Sequence, residues 1–248
     1  MRMIGVAVVV LVGLVGVGAA QMGQMAMPAS GDVTTMGGHM EMTKLRPMQP
    51  GDQAKADAIV VAARKVANEY LDYRKALADG YTIFMPEVPQ HVYHFTLAQN
   101  AMEAMRQFDA SRPTSLLYEK TPGKQPGAEG YYKLVGVMYT DRLRAQEEEL
   151  NSRIPLSIAT WHLHTNLCMP PGGSLIDMTG PHPKFGLNGS ITTREACEAA
   201  GGRFQGNVFG WMVHVYPFET DAKKVWSAGM DDDHGMQHDA AMPGMKMP

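Results

Sequence analysis

The sequence predicts an α+β fold, a long N-terminal helix packed on an antiparallel sheet, with methionine-rich termini that carry no core. Three observations lead there. Asp52–Asp79 places Ala, Ile, Val and Leu at helical spacing. From Tyr81 onward the pattern changes to short strand-like stretches bounded by Pro and Gly. Helices and strands do not alternate regularly, which argues against a doubly wound parallel sheet. With 248 residues, 45% of them hydrophobic, the chain can bury one sizeable core.

The elements follow in chain order. Met1–Ala20 sets Arg2 before an apolar run, Met3–Val17, and ends in Gly18-Ala19-Ala20. This reads as a secretory signal peptide cleaved after Ala20. The run is shorter than the roughly 20 apolar residues of a membrane span, so no stable membrane anchor is expected after cleavage. No cysteine follows the run, which argues against a lipid-anchored lipoprotein. The mature protein is expected to be exported, to the periplasm or outside the cell, where disulfides persist. Gln21–Pro50 carries Met22, Met25, Met27, Met36, Met40, Met42 and Met48 beside His39, with no aromatic residue. It is expected to be disordered. Residues 51–228 form the globular domain. Within it, Asp52–Asp79 is a helix stopped by Gly80, and Ser115–Glu119 with Tyr131–Tyr139 form a hairpin around a Pro/Gly-rich loop. Leu143–Ser152 is a short helix, Ile158–Leu167 and Val208–Phe218 are strands, and Thr193–Ala200 is a short helix ended by Gly201-Gly202. Gly229–Pro248 holds Met230, Met236, Met242, Met245 and Met247 beside His234 and His238, and is expected to be disordered.

Composition excludes several classes. A net charge of −3 without a basic cluster leaves no electrostatic footprint for nucleic acid. Two cysteines exclude a dense disulfide scaffold, an all-cysteine zinc site and a cysteine-held iron–sulfur cluster. There is no HExxH, GxSxG, Walker loop, CxxCH or Rossmann fingerprint.

Five of the nine histidines fall in three aromatic-rich strand candidates. In IATWHLHTNLC, His162 and His164 share a strand face with Asn166 and Cys168, while Trp161, Leu163, Thr165 and Leu167 take the other. An HxH pair on a strand offers two nitrogen ligands to one metal ion. His91 and His94 in HVYHF lie on opposite sides of an extended chain, so only one of them can join that face. His214 in FGWMVHVYPFE shares parity with Met212 and Tyr216. A polar network lining a ligand pocket is the competing reading. Glu87, Glu119, Asp177 and Glu219 are eligible ligands or bases, and nothing in their spacing selects among them.

Cys168 and Cys197 are an even pair in an exported chain and read as a disulfide. The alternative makes Cys168 a thiolate ligand beside His162 and His164, which would leave Cys197 unpaired. In the tails, thioether sulfur is a soft ligand suited to Cu(I), and imidazole adds affinity for Cu(II). His234, Met236 and His238 follow Asp231–Asp233 on a short flexible stretch, and His39 with Met40 repeats the idea near the N-terminus. A linker whose methionines bind nothing, or serve as an oxidisable sink, is the competing reading.

The tail resembles the Met/His-rich MxxM and DHxxM segments of bacterial periplasmic copper-resistance proteins. The core resembles a group of exported bacterial proteins of unassigned function, through GY…H…H (Gly80–His94), SLLYEK (Ser115–Lys120) and LVGVMY (Leu134–Tyr139) in that order. That group carries a single HY or HVxN element where this chain has HVYHF. The likeness implies a fold unit and a compartment, and transfers no functional residue.

The sequence therefore points first to an exported, non-enzymatic copper-binding protein for tolerance or delivery. Its termini would capture the ion and a core site would use His162, His164 and His91, with zinc as the second candidate ion. The alternatives are a metal-dependent hydrolase or oxidase with Glu87 or Asp177 as base, and a small-molecule binding module without metal. No protein partner is indicated.

Overall fold

A computed structural model describes residues 33–36, 38–179 and 182–227. The expected signal peptide, Met1–Ala20, and the Met/His/Asp tail, Gly229–Pro248, lie outside the described residues, and with the tail go His234, Met236 and His238. Strands β1 (Val33–Met36) and β2 (Met40–Thr43) open the described chain. Helices α1 (Asp52–Glu69) and α2 (Tyr73–Ala78) follow, then β3 (Thr82–Ile83), β4 (Tyr93–Thr96), α3 (Ala98–Ala104), β5 (Ser115–Lys120) and β6 (Tyr132–Asp141). The chain continues through α4 (Glu147–Arg153), β7 (His162–Met169), α5 (Arg194–Ala199), β8 (Arg203–Val215) and α6 (Ala222–Val225). All eight strands join one antiparallel sheet in the order β1-β2-β7-β8-β6-β5-β4-β3. The fold is α+β. No helix among the described residues is long and apolar enough to cross a membrane.

Two expectations need correction. Asp52–Asp79 is not one helix. The helix stops at Glu69 and resumes at Tyr73. Asp72 prefers the capping role to a helix interior: its carboxylate accepts from Arg74 N at 3.0 Å. The Tyr118 hydroxyl donates to the Tyr70 carbonyl at 2.6 Å, satisfying an acceptor that the ended helix leaves free. The break turns Tyr73 into the core against Phe95 and Tyr132. The second correction concerns Gln21–Pro50, which is not wholly without structure. β1 and β2 lie inside it, and Met42 and Thr43 are buried. Met40-Glu41-Met42-Thr43 alternates, but four residues amid Gly and Met give little signal. What orders them is a backbone ladder to β7, together with Thr43 N donating to the Trp161 carbonyl and Trp161 N to the Thr43 hydroxyl.

Opposed residues in an antiparallel ladder point to the same face, so the sheet has two distinct sides. One carries Tyr93, Phe95, Leu116, Tyr118, Val137, Tyr139, Leu163, Val213 and Val215, and packs on α1 and α2 through Ile59, Ala63, Val66, Tyr73 and Ala76. Each fully buried Leu or Val there contributes on the order of 1.5–3 kcal/mol. Beneath the edge of this core, Asp141 and Arg153 form a buried ion pair, with Nε and Oδ2 2.6 Å apart. The other side carries His94, Leu117, Gly136, Met138, Met212, His214, His162, His164, Met40 and Met42.

This second side is strongly concave. His94 on β4 is separated from His214 on β8 by β5 and β6, three strand spacings or roughly 14 Å of flat sheet. Yet their Nε2 atoms are 3.4 Å apart. Two imidazoles alone cannot span that gap, so the sheet must curl toward them. Two irregularities assist the curl: a register shift at Leu117/Tyr118 between β5 and β6, and another between His162 and His164 opposite β8. Gly136 leaves room at the bottom of the bowl, where an added Cβ would lie 2.7 Å from the Val215 carbonyl oxygen.

Candidate metal centre

The HxH alternation is realised. Trp161 and Leu163 go into the core, and the His162 and His164 rings stand together on the concave side with centroids 5.6 Å apart. β8 brings His214 beside them, its centroid 4.9 Å from that of His162. From the HVYHF segment the member that arrives is His94, because Tyr93 and Phe95 take the core face. His91, favoured from the sequence, is exposed and does not join.

The four imidazoles form an uncharged cluster. His162 and His214 are 2% and 8% exposed, and His94 and His164 are half-buried. Burial, reinforced by the neighbouring imidazoles, lowers His162 from its ordinary value to about 3 and holds His214 well below it. Burial likewise lowers His94 to about 4, with His164 adding to the shift and a bond to the Val92 backbone opposing it. His164 falls to about 4 through burial and the proximity of His39. At neutral pH all four are therefore neutral, the form that ligates a metal ion. No carboxylate contributes to any of these shifts. The Nδ1 atoms of both His162 and His214 are buried without a hydrogen-bond partner, a cost of about 1–3 kcal/mol each.

The His94–His214 approach has the spacing of a shared ligand pair. Two nitrogens at about 2.0–2.1 Å from one ion and 3.4 Å from each other subtend an angle near tetrahedral. Among the described residues, no three His, Cys, Asp or Glu side chains are placed to hold an ion together. A third donor must come from a ring rotation of His162 or His164, or from sulfur.

Two loops roof the bowl. Phe84–Gln90, after β3, is held by Gln90 Nε2 donating to the carbonyls of Phe84 at 2.8 Å and Met85 at 2.9 Å. Phe84 meets Phe209 edge-on at 5.3 Å, and Phe209 in turn faces His164 at 6.4 Å. Phe209 has φ 67°, a backbone strain of about 1–3 kcal/mol at the mouth of the site. The second loop, after β7, packs Met178, Phe185 and Ile191 with Met85 over the disulfide between Cys168 and Cys197. With Cys168 so bonded, the thiolate-ligand alternative is removed.

The remaining candidates are dispersed. His39 is buried, but its Nε2 hydrogen-bonds the Gly189 carbonyl at 2.6 Å, tying the β1–β2 turn to the second loop. Asn166 assists by donating to the Gly38 carbonyl at 2.8 Å. Met40 lies opposite His164 in the ladder. Glu87, Asp177 and Glu219 are exposed, and Glu119, half-buried at the end of β5 opposite Lys133, shares the side of Leu117 without acting on any of the four rings. What sequence reasoning missed is the methionine lining of the bowl. The shared parity of Met212 and His214 was its visible trace.

The chain matches no family profile, no curated protein and no solved structure. Its function must be argued from the site.

Proposed function

We propose that the chain is an exported copper-binding protein, in which the concave His face holds the ion and the Met/His termini assist its capture. The carrying observation is the 3.4 Å approach of His94 and His214 beside His162 and His164. Two buried and two half-buried neutral imidazoles meet here, and an ion taken by the unpartnered Nδ1 of buried His162 would relieve a structural burden. Imidazole ligation suits copper above zinc on the general affinity order of divalent ions. Among the described residues no carboxylate acts on these rings, which supports binding over carboxylate-assisted hydrolysis. The secretory character of Met1–Ala20 supports export.

The test is a copper competition titration of the full chain against a chromophoric chelator, beside the double substitution His94→Phe with His214→Phe. Loss of one tight equivalent is expected in the variant. Unchanged tight binding would reject the core site. A chain truncated after Ser227 separates the contribution of the tail: it should lose weaker equivalents and keep the tight one.

A further inference from the structure

The histidines of β7 and β8 are not surrounded by ordinary apolar residues. Directly opposite His162 stand Met42 on β2 and Met212 on β8. Directly opposite His214 stands Met138 on β6, and opposite His164 stands Met40. Each strand-borne imidazole of this pair of strands thus has a thioether as its in-register neighbour, at the cross-strand Cβ separation of about 4.5–5.5 Å. Met42, Met138 and Met212 are 8%, 5% and 5% exposed. Met138 and Met212 pack together with Leu117 in a cluster separate from the main core on the helix side. A core that needed only filling would draw on Leu, Ile and Val, as the opposite face of the same strands does with Leu116, Val137, Val213 and Val215.

We infer that this face is a mixed imidazole–thioether site for a soft monovalent ion, Cu(I) or Ag(I), with Met42, Met138 and Met212 supplying sulfur next to His94, His162 and His214. The inference rests on the metal-binding reading above and adds the oxidation state and the donor set. Thioethers bind Cu(I) well and hard or divalent ions poorly. The two converging imidazole nitrogens leave coordination to be completed, and three buried methionines are the in-register neighbours of His162 and His214. The unpartnered Nδ1 of His162, on a ring 2% exposed, is the independent sign that a polar group here awaits a ligand.

The test uses the full chain with its methionine methyls labelled with carbon-13, titrated with Ag(I), which is redox-silent and reports on the Cu(I) site. Single Met→Leu variants assign the signals. The methyl signals of Met42, Met138 and Met212 are expected to shift together up to one equivalent. The triple substitution Met42→Leu, Met138→Leu, Met212→Leu is expected to weaken Ag(I) and Cu(I) at least about tenfold, the low end of what disturbing even an outer partner of a metal ligand costs. Its Zn(II) affinity should stay unchanged. Methyl signals that do not move by one equivalent overturn the inference even if the triple variant fails to fold. So does a folded triple variant with wild-type Ag(I) affinity. If histidine variants lose copper while these methionine signals stay still, the metal-binding reading stands and the sulfur donors fall. If histidine variants keep copper as well, both fall.

Discussion

Replacing His162 by leucine in metal-free protein should leave the fold as stable as before, or make it more stable. The ring is 2% exposed and its Nδ1 has no partner. Removing that orphaned group recovers about 1–3 kcal/mol of desolvation. A near-isosteric apolar side chain in its place costs less than about 1.5 kcal/mol in imperfect packing. The net effect should lie between about −0.5 and +3 kcal/mol, and for a domain of this size each kcal/mol moves Tm by about 2–4 °C. Chemical denaturation of EDTA-treated wild type and His162→Leu at pH 7.5, with matched thermal scans, provides the measurement. A loss of more than about 2 kcal/mol would refute the reasoning, because His162 would then be a satisfied structural residue. The same substitution in copper-loaded protein should forfeit the stabilisation that the ion gives the wild type.

Three further outcomes follow from the same geometry. Above about pH 6.5 the folded and unfolded histidines are both neutral. Below it the unfolded chain takes up protons that His94, His162 and His164 refuse until pH about 4, 3 and 4. Metal-free protein should therefore lose up to about 1.4 kcal/mol per pH unit per histidine as the pH falls from 6.5. Urea midpoints that stay flat from pH 7 to 5 would contradict this. Asp141→Ala takes the nearer carboxylate from the buried Arg153 guanidinium and leaves it Glu149 at 3.6 Å; it should cost up to about 3–5 kcal/mol in urea denaturation, largely recovered by Asp141→Leu with Arg153→Met, and a loss below about 1 kcal/mol would show the pair to be solvated. Replacing Cys168 and Cys197 with serine opens a closure of 29 residues, worth about 3–4 kcal/mol on the chain-entropy account. The thermal midpoint should drop accordingly, and an unchanged midpoint would show the closed loop to be held by its packing alone.

Much of this fold can be read locally. The Ser115–Glu119 and Tyr131–Tyr139 hairpin, the Thr193-capped helix and the HxH parity depend on near neighbours in sequence, and each has its counterpart in the structure. The helix break at Tyr70–Asp72 is different, because a hydroxyl from Tyr118, 48 residues away, takes up the Tyr70 carbonyl. β2 has little local signal because its order comes from β7 rather than from its own composition. The choice between His91 and His94 turned on which parity Tyr93 and Phe95 would bury, and two aromatics on one parity already hinted at the answer. The meeting of His94 with His214 required sheet curvature, set by a shift at Leu117/Tyr118 and by β8 spending four residues against two of β7. No single stretch of sequence encodes that curvature.

The pairing of β2 with β7 also dictates when the bowl comes into being. The bonds between Thr43 and Trp161 join residues 118 apart in sequence, whereas β4, β5 and β6 can zip up with near neighbours. Loop closure over such a span is slow and is rewarded only after other contacts exist. Met40 and Met42 thus close their side of the bowl through the longest-range pairing in the sheet, whereas its far rim, at His94, is built from near neighbours. The imidazoles and thioethers are scattered from Met40 to His214 along the chain and become neighbours only through the closed sheet. An ion that needs all of them is an ion that only the finished protein can keep.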